Sequence, residues 1–130
     1  MNAIIVEDNA AFRKTFKNVL QTEFDINVIS EFSNGKEFLE HDLSNCNIVF
    51  MDLEMPEMNG FIAAKKATWE YKLTKFIAVT SHKESEYMIK VVEAGFNGFI
   101  NKHTLFSELP DAIKTVMSGQ LYFSSLDNNL

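Results

Sequence analysis

The 130 residues carry 18 acidic against 12 basic side chains, a net charge of −6, and 46% of them are hydrophobic. That length fits one domain with enough apolar material to bury a core. The acidity argues against a nucleic-acid grip through a basic face, and no apolar run approaches the ~18 residues of a membrane span.

Taken in chain order, Ala3-Ile4-Ile5-Val6 is a short apolar run that ends abruptly in Glu7-Asp8 and predicts a first strand. It is too short, and lacks the basic flank, to be the core of a signal peptide. Phe12, Phe16, Val19 and Leu20 then follow a helical spacing, with Asp8 or Asn9 as the cap. Residues 26–32 predict a second strand, which the polar Asn27, Ser30 and Glu31 place at a sheet edge. A helix is expected over 35–41. The lone Cys46 can form no internal disulfide or cysteine metal cluster, reads as a small buried residue, and fits a reducing, cytoplasmic setting.

The third run, Ile48-Val49-Phe50-Met51, leads straight into Asp52 and a turn through Met55-Pro56 and Asn59-Gly60. A helix over 59–71 carries Trp69 and Tyr71 to its rim. Residues 76–79 form a fourth strand ending in Thr80-Ser81, and a helix over 85–94 closes at Gly95. Residues 98–100 form a fifth strand ending in Asn101-Lys102. A last helix over 106–118 has an apolar stripe of Leu109, Ala112, Ile113, Val116 and Met117. The domain is expected to occupy 1–123, with 124–130 a flexible tail or the start of a linker.

Five strands alternating with five helices predict an α/β fold with a parallel sheet, each helix serving as a crossover. The apolar runs at 3–6, 48–51 and 76–79 suit strands covered on both faces. Ligands of such sheets bind beyond the carboxyl ends of the strands. Those ends deliver Glu7, Asp8, Asp52, Thr80, Ser81, Asn101 and Lys102. Carboxylates crowded together repel unless a cation separates them. A hard divalent ion, Mg²⁺ above all, suits the set, with Asp8 and Asp52 as direct ligands and Glu7 acting through a water.

These residues resemble, over essentially the whole chain, the receiver domain of two-component response regulators. The likeness lies in IIVEDN, FMDLEMPEMNG, AVTSH and GFNGFINK, in that order and spacing. The resemblance implies a flavodoxin-like (βα)5 fold, a doubly wound five-stranded sheet of order 2-1-3-4-5. It implies that Asp52 is the phosphoacceptor, that Glu7 and Asp8 hold Mg²⁺ together with the backbone carbonyl of Glu54, and that Lys102 pairs with the phosphate. Thr80 and the aromatic Phe99 become the switch that biases a surface of the fourth helix, fifth strand and fifth helix. Glu54 and His82 would tune the phosphoryl lifetime. The implied partner is a sensor histidine kinase, with homodimer formation on phosphorylation. LPDAIKTVMSGQLYFS resembles the end of receivers in LuxR/NarL-type transcription regulators, whose DNA contact comes from an output domain outside this chain.

The acidic pair is Glu-Asp where Asp-Asp is commoner. Lys102 is followed by His103 where many receivers have proline, so a trans peptide is expected there. An aspartyl phosphohydrolase is disfavoured because the D-x-D-x-T arrangement is missing after Asp52. A phosphorylation-independent pseudo-receiver is disfavoured because every expected site residue is present. A nucleotide-binding flavodoxin-like protein lacks its glycine-rich phosphate loop.

Overall fold

The computed structural model describes residues 1–55, 58–81 and 85–124. Its strands are β1 (Asn2–Val6), β2 (Asn27–Phe32), β3 (Ile48–Asp52), β4 (Lys75–Thr80), β5 (Gly98–Asn101) and β6 (Tyr122–Phe123). Its α-helices are α1 (Ala10–Glu23), α2 (Gly35–Leu39), α3 (Gly60–Glu70), α4 (Ser85–Glu93) and α5 (Leu105–Met117). A 3₁₀ turn, Lys102–Thr104, joins β5 to α5.

All strand pairs are parallel, in the order β2-β1-β3-β4-β5-β6. The expected order is present, with β2 at an edge, but the sheet has six strands where five were expected. The added strand, β6, pairs Gly98 with Tyr122 and Phe99 with Phe123. Two residues are too few to show an alternating pattern, so nothing in the text marks them as a strand.

Alternation along the strands divides the core. Val49 and Met51 of β3, with Phe76 and Ala78 of β4, face α2, α3 and α4 through Phe38, Ala63, Ala64, Ala67 and Val91. Ile48, Phe50, Ile77 and Val79 face α1 and α5 through Phe16, Leu20, Leu109, Ala112 and Val116. Both faces are covered, which is why β3 reads as an unbroken apolar run up to Asp52. Cys46 is buried, and that burial pushes its thiol up to about 11, so it is an inert core residue.

Asparagines open three helices: the side chains of Asn9, Asn34 and Asn59 accept from the backbone N–H of Phe12, Glu37 and Ile62. Between the two candidates for the first cap, Asn9 therefore fills the role and leaves Asp8 free of it. On α3 the buried side is Gly60, Ala63, Ala64 and Ala67. Trp69 falls on the opposite side and is 76% exposed, where rim packing was expected; Lys72 Nζ lies 4.5 Å from the centre of its ring.

Gly60 is set by close approach. Its N–H donates to the Leu53 carbonyl at 2.9 Å, and a Cβ there would lie 2.3 Å from the Asp52 carbonyl oxygen. The obstacle is backbone, which cannot rotate away. Gly60→Ala is expected to cost about 2 kcal/mol, in the range of overpacked cores. Urea unfolding checks this, and an unchanged midpoint would count against the contact.

Candidate functional site

The carboxyl ends of β1, β3 and β5 converge on one cluster. Glu7 follows β1 directly, its backbone N–H held by the Phe32 carbonyl of β2 at 2.9 Å. Asp52 closes β3, and Lys102 follows β5 into the 3₁₀ turn. One carboxylate oxygen from each of Glu7, Asp8 and Asp52 lies within 4.8 Å of the others. Lys102 Nζ sits 2.9 Å from Glu7 Oε1 and 3.6 Å from Asp52 Oδ2.

Glu7 is 2% exposed and held on both oxygens. Its Oε2 accepts from the Asn9 backbone N–H at 3.0 Å, and its Oε1 takes the ammonium of Lys102. The Arg13 guanidinium donates to its carbonyl. The glutamate's extra methylene carries its carboxylate to Lys102, a direct contact beyond the water-mediated role expected for it. Asp8, by contrast, is exposed at the mouth of the cluster.

Asp52 is 7% exposed, and its Oδ1 accepts from the Glu54 backbone N–H at 3.2 Å. Burial and the neighbouring charge of Glu7 raise its carboxyl to about 7, against the opposing pull of Lys102 and the Glu54 N–H. Burial draws Lys102 down, but its hydrogen bond to Glu7 and the charge of Asp52 outweigh that and hold it above the ordinary lysine range. Its Nζ also lies 4.8 Å from the centre of the Phe12 ring, a cation–π contact.

Thr80 closes β4 and is buried; it pairs with Asn101 across the sheet, one step beyond the Asp52–Val79 pair. Phe99 is wholly buried and packs in the cluster that contains Ala78 and Val91. Glu54 is exposed, while His82 lies outside the described residues, as do Pro56 of the expected turn and residues 125–130 of the expected tail. Ser124 is buried and accepts from the Asn101 backbone N–H at 3.1 Å. The Lys102–His103 peptide is trans, as expected.

The donor set fits a hard divalent ion. It consists of carboxylate oxygens within 4.8 Å of each other, two of the three acids are buried, and the Lys102 ammonium meets Glu7 more closely than Asp52. Asn9, Phe12 and Arg13 were not singled out from the sequence as parts of this site. One signal was available: Asn9 directly follows the acidic pair as the cap of α1, and Phe12 and Arg13 fall in the first turn of that helix.

The residues from 3 to 114 match the family model described as "Response regulator receiver domain". Among curated proteins, the response regulator UvrY of Escherichia coli K12 is 31% identical over 126 residues, covering 96% of this chain and 58% of that protein. The oxygen regulatory protein NreC of Staphylococcus haemolyticus is 29% identical over 124 residues, covering 94% and 57%. The chain thus spans a little over half the length of these relatives. A LuxR-family two-component response regulator from Aurantimonas sp. SI85-9A1 has a similar structure, with a TM-score of 0.85, 23% identity, and coverage of 93% of this chain and 87% of that one. The non-phosphorylated receiver domain of RcsB from Escherichia coli gives a TM-score of 0.84 at 20% identity, covering 96% and 98%.

Proposed function

The chain belongs to the response regulator receiver domain family, of the LuxR/NarL type, and on that premise we propose that Asp52 accepts a phosphoryl group from the phosphohistidine of a sensor histidine kinase. The observation that carries the reading is the meeting of three carboxylates and one ammonium at neighbouring strand ends.

An Asp52 carboxylate oxygen forms a bond to phosphorus as the donor's P–N bond breaks; the electron pair leaves with the imidazole, which takes a proton from water. The protein's part in such a transfer is alignment and neutralisation of charge on the equatorial oxygens. The β3 run, buried throughout, fixes Asp52, and Lys102 brings one positive charge to its Oδ2 side. Asp8, Asp52 and the Glu54 carbonyl would hold Mg²⁺, with Glu7 beside them; when bound, Mg²⁺ supplies the remaining positive charge and favours ionised Asp52.

The acyl phosphate adds roughly −1.5 to −2 charge and strong acceptor oxygens. Thr80, on the adjacent strand end, donates its hydroxyl to them. The space it leaves tightens around Phe99, a ring already wholly inside. The face formed by α4, α5 and the edge of β5, which β6 covers at Gly98 and Phe99, carries the change outward. Ile89 and Val92 of α4 are exposed, and they supply apolar surface for a homodimer of the phosphorylated form. In this reading, the receiver runs from residue 1 through the buried Ser124, one residue past the expected boundary at 123. The residues after it begin a linker, and Glu54 and His82 tune hydrolysis. Transcriptional output belongs to a DNA-binding domain outside this chain, a proposal supported by the similarity to LuxR-family regulators.

Acetyl phosphate with Mg²⁺ is expected to add one phosphoryl group by intact mass. Asp52→Asn should abolish the addition, and equal labelling of that variant would overturn the reading.

A further inference from the structure

Lys102 hangs on a four-carbon stem, so its ammonium reaches Asp52 reproducibly only if its backbone is held. The turn that holds it is organised by Asn101. The Asn101 side-chain Oδ1 accepts from the His103 backbone N–H at 2.9 Å, capping the 3₁₀ turn from Lys102 to Thr104. This is the local side-chain-to-backbone bond by which asparagine fixes turns. It needs the N–H of residue 103, which histidine has and proline lacks.

Asn101 is itself anchored. It is 5% exposed, stands in register with Thr80 in the sheet, and gives its backbone N–H to Ser124 Oγ at 3.1 Å. Ser124 Oγ donates in turn to Glu108 Oε2 at 2.8 Å, and Tyr122 donates to Glu108 Oε1 at 2.6 Å. Thr104, the last residue of the turn, also donates to Glu108. Among the described residues the Asn101 Nδ2 meets no hydrogen-bond partner. A buried amide with an unmade bond costs stability. An apolar residue would be the cheaper occupant if packing were all the position served.

We propose that Asn101 is the positioning residue for Lys102: by capping the trans Lys102–His103 turn, it aims the ammonium between Glu7 and Asp52. The inference rests on the proposed phosphoryl transfer to Asp52. Asn101 acts only through Lys102 and does not touch the reacting atoms.

The test is the rate of phosphorylation by acetyl phosphate at saturating Mg²⁺, with Mg²⁺ affinity measured alongside. Asn101→Ala and the near-isosteric Asn101→Leu both lack the acceptor and should slow the reaction about tenfold. Two loss variants keep the result independent of either one's folding. Mg²⁺ affinity should stay within about twofold, and Asn101→Ser, which restores a capping oxygen, should recover most of the rate. In a Lys102→Ala background, Asn101→Ala should add nothing further, because the two residues act as one unit. Parental rates in both loss variants would overturn the inference, as would the same tenfold loss when Lys102 is already absent. A parent chain that takes no phosphoryl group, or an Asp52→Asn chain that does, would instead refute the proposed function.

Discussion

Replacing Lys102 with alanine is expected to destabilise the metal-free protein by about 2–3 kcal/mol. The ammonium lies 2.9 Å from Glu7 Oε1 and 3.6 Å from Asp52 Oδ2, and both acids are buried. Removing one member of a buried ion pair typically costs ~3–5 kcal/mol, since the charge left behind stays desolvated. The lower figure applies here because the lysine side chain keeps 21% exposure and the cluster opens to solvent through Asp8. Divalent ion should offset the loss: Mg²⁺ at ~100 times its Kd adds about 2.7 kcal/mol to any fold that binds it. Without a competing ammonium, the variant should bind Mg²⁺ at least as tightly as the parent, while phosphorylation slows. Urea unfolding with chelator and with Mg²⁺ checks both parts. A variant as stable as the parent in chelator would mean that the lysine is not balancing these acids.

The second large effect has the opposite sign. Asp52→Asn should stabilise the metal-free protein at pH 8 by roughly 2–4 kcal/mol, with the gain shrinking to nothing near pH 4. Its carboxyl is raised from the ordinary 3.8 to about 7 in the fold, by burial first and then by Glu7. Below pH 3.8 the group is neutral in folded and unfolded chains alike and contributes nothing. Between 3.8 and 7 the unfolded chain loses the proton that the fold retains, so stability falls as pH rises; above 7 the penalty is constant. Each pKa unit corresponds to about 1.4 kcal/mol, and the range given allows for sharing of charge among the three acids. Asparagine keeps the shape and removes the charge. Thermal unfolding of both chains from pH 4 to pH 8 in chelator measures the gap, and a gap that does not change with pH would contradict the assigned cause. A site that is costly when empty and repaid by a cation is what a metal-dependent phosphoacceptor requires.

Much of this was legible in the text because burial and charge change so sharply at the strand ends. Phe50-Met51-Asp52 and Ile5-Val6-Glu7 leave little choice about where the apolar face stops, and parallel pairing then brings the acids together. Lys102 could be placed in the same way from the end of β5. Contacts set by direction rather than by element stayed hidden. Whether Glu7 would reach Lys102, or Phe12 lie beneath its ammonium, depends on side-chain paths that no periodicity encodes. The cap from Asn101 to the His103 N–H joins residues two apart at a strand end, where asparagine reads equally well as a solvated turn residue. Trp69 misled because an aromatic on an amphipathic helix suggests packing, whereas the alanine face of α3 already fills the contact with the sheet. The brief β6 carries no pattern of its own; it forms because β5 offers an open edge where the chain leaves α5.

The most direct measurement is chemical trapping of the phosphorylated residue. After reaction with acetyl phosphate and Mg²⁺, borohydride reduces an aspartyl phosphate to homoserine, and peptide sequencing by mass locates it. Homoserine is expected at position 52 and at no other aspartate. Its appearance elsewhere, or a phosphorylated chain that yields none, would contradict the account.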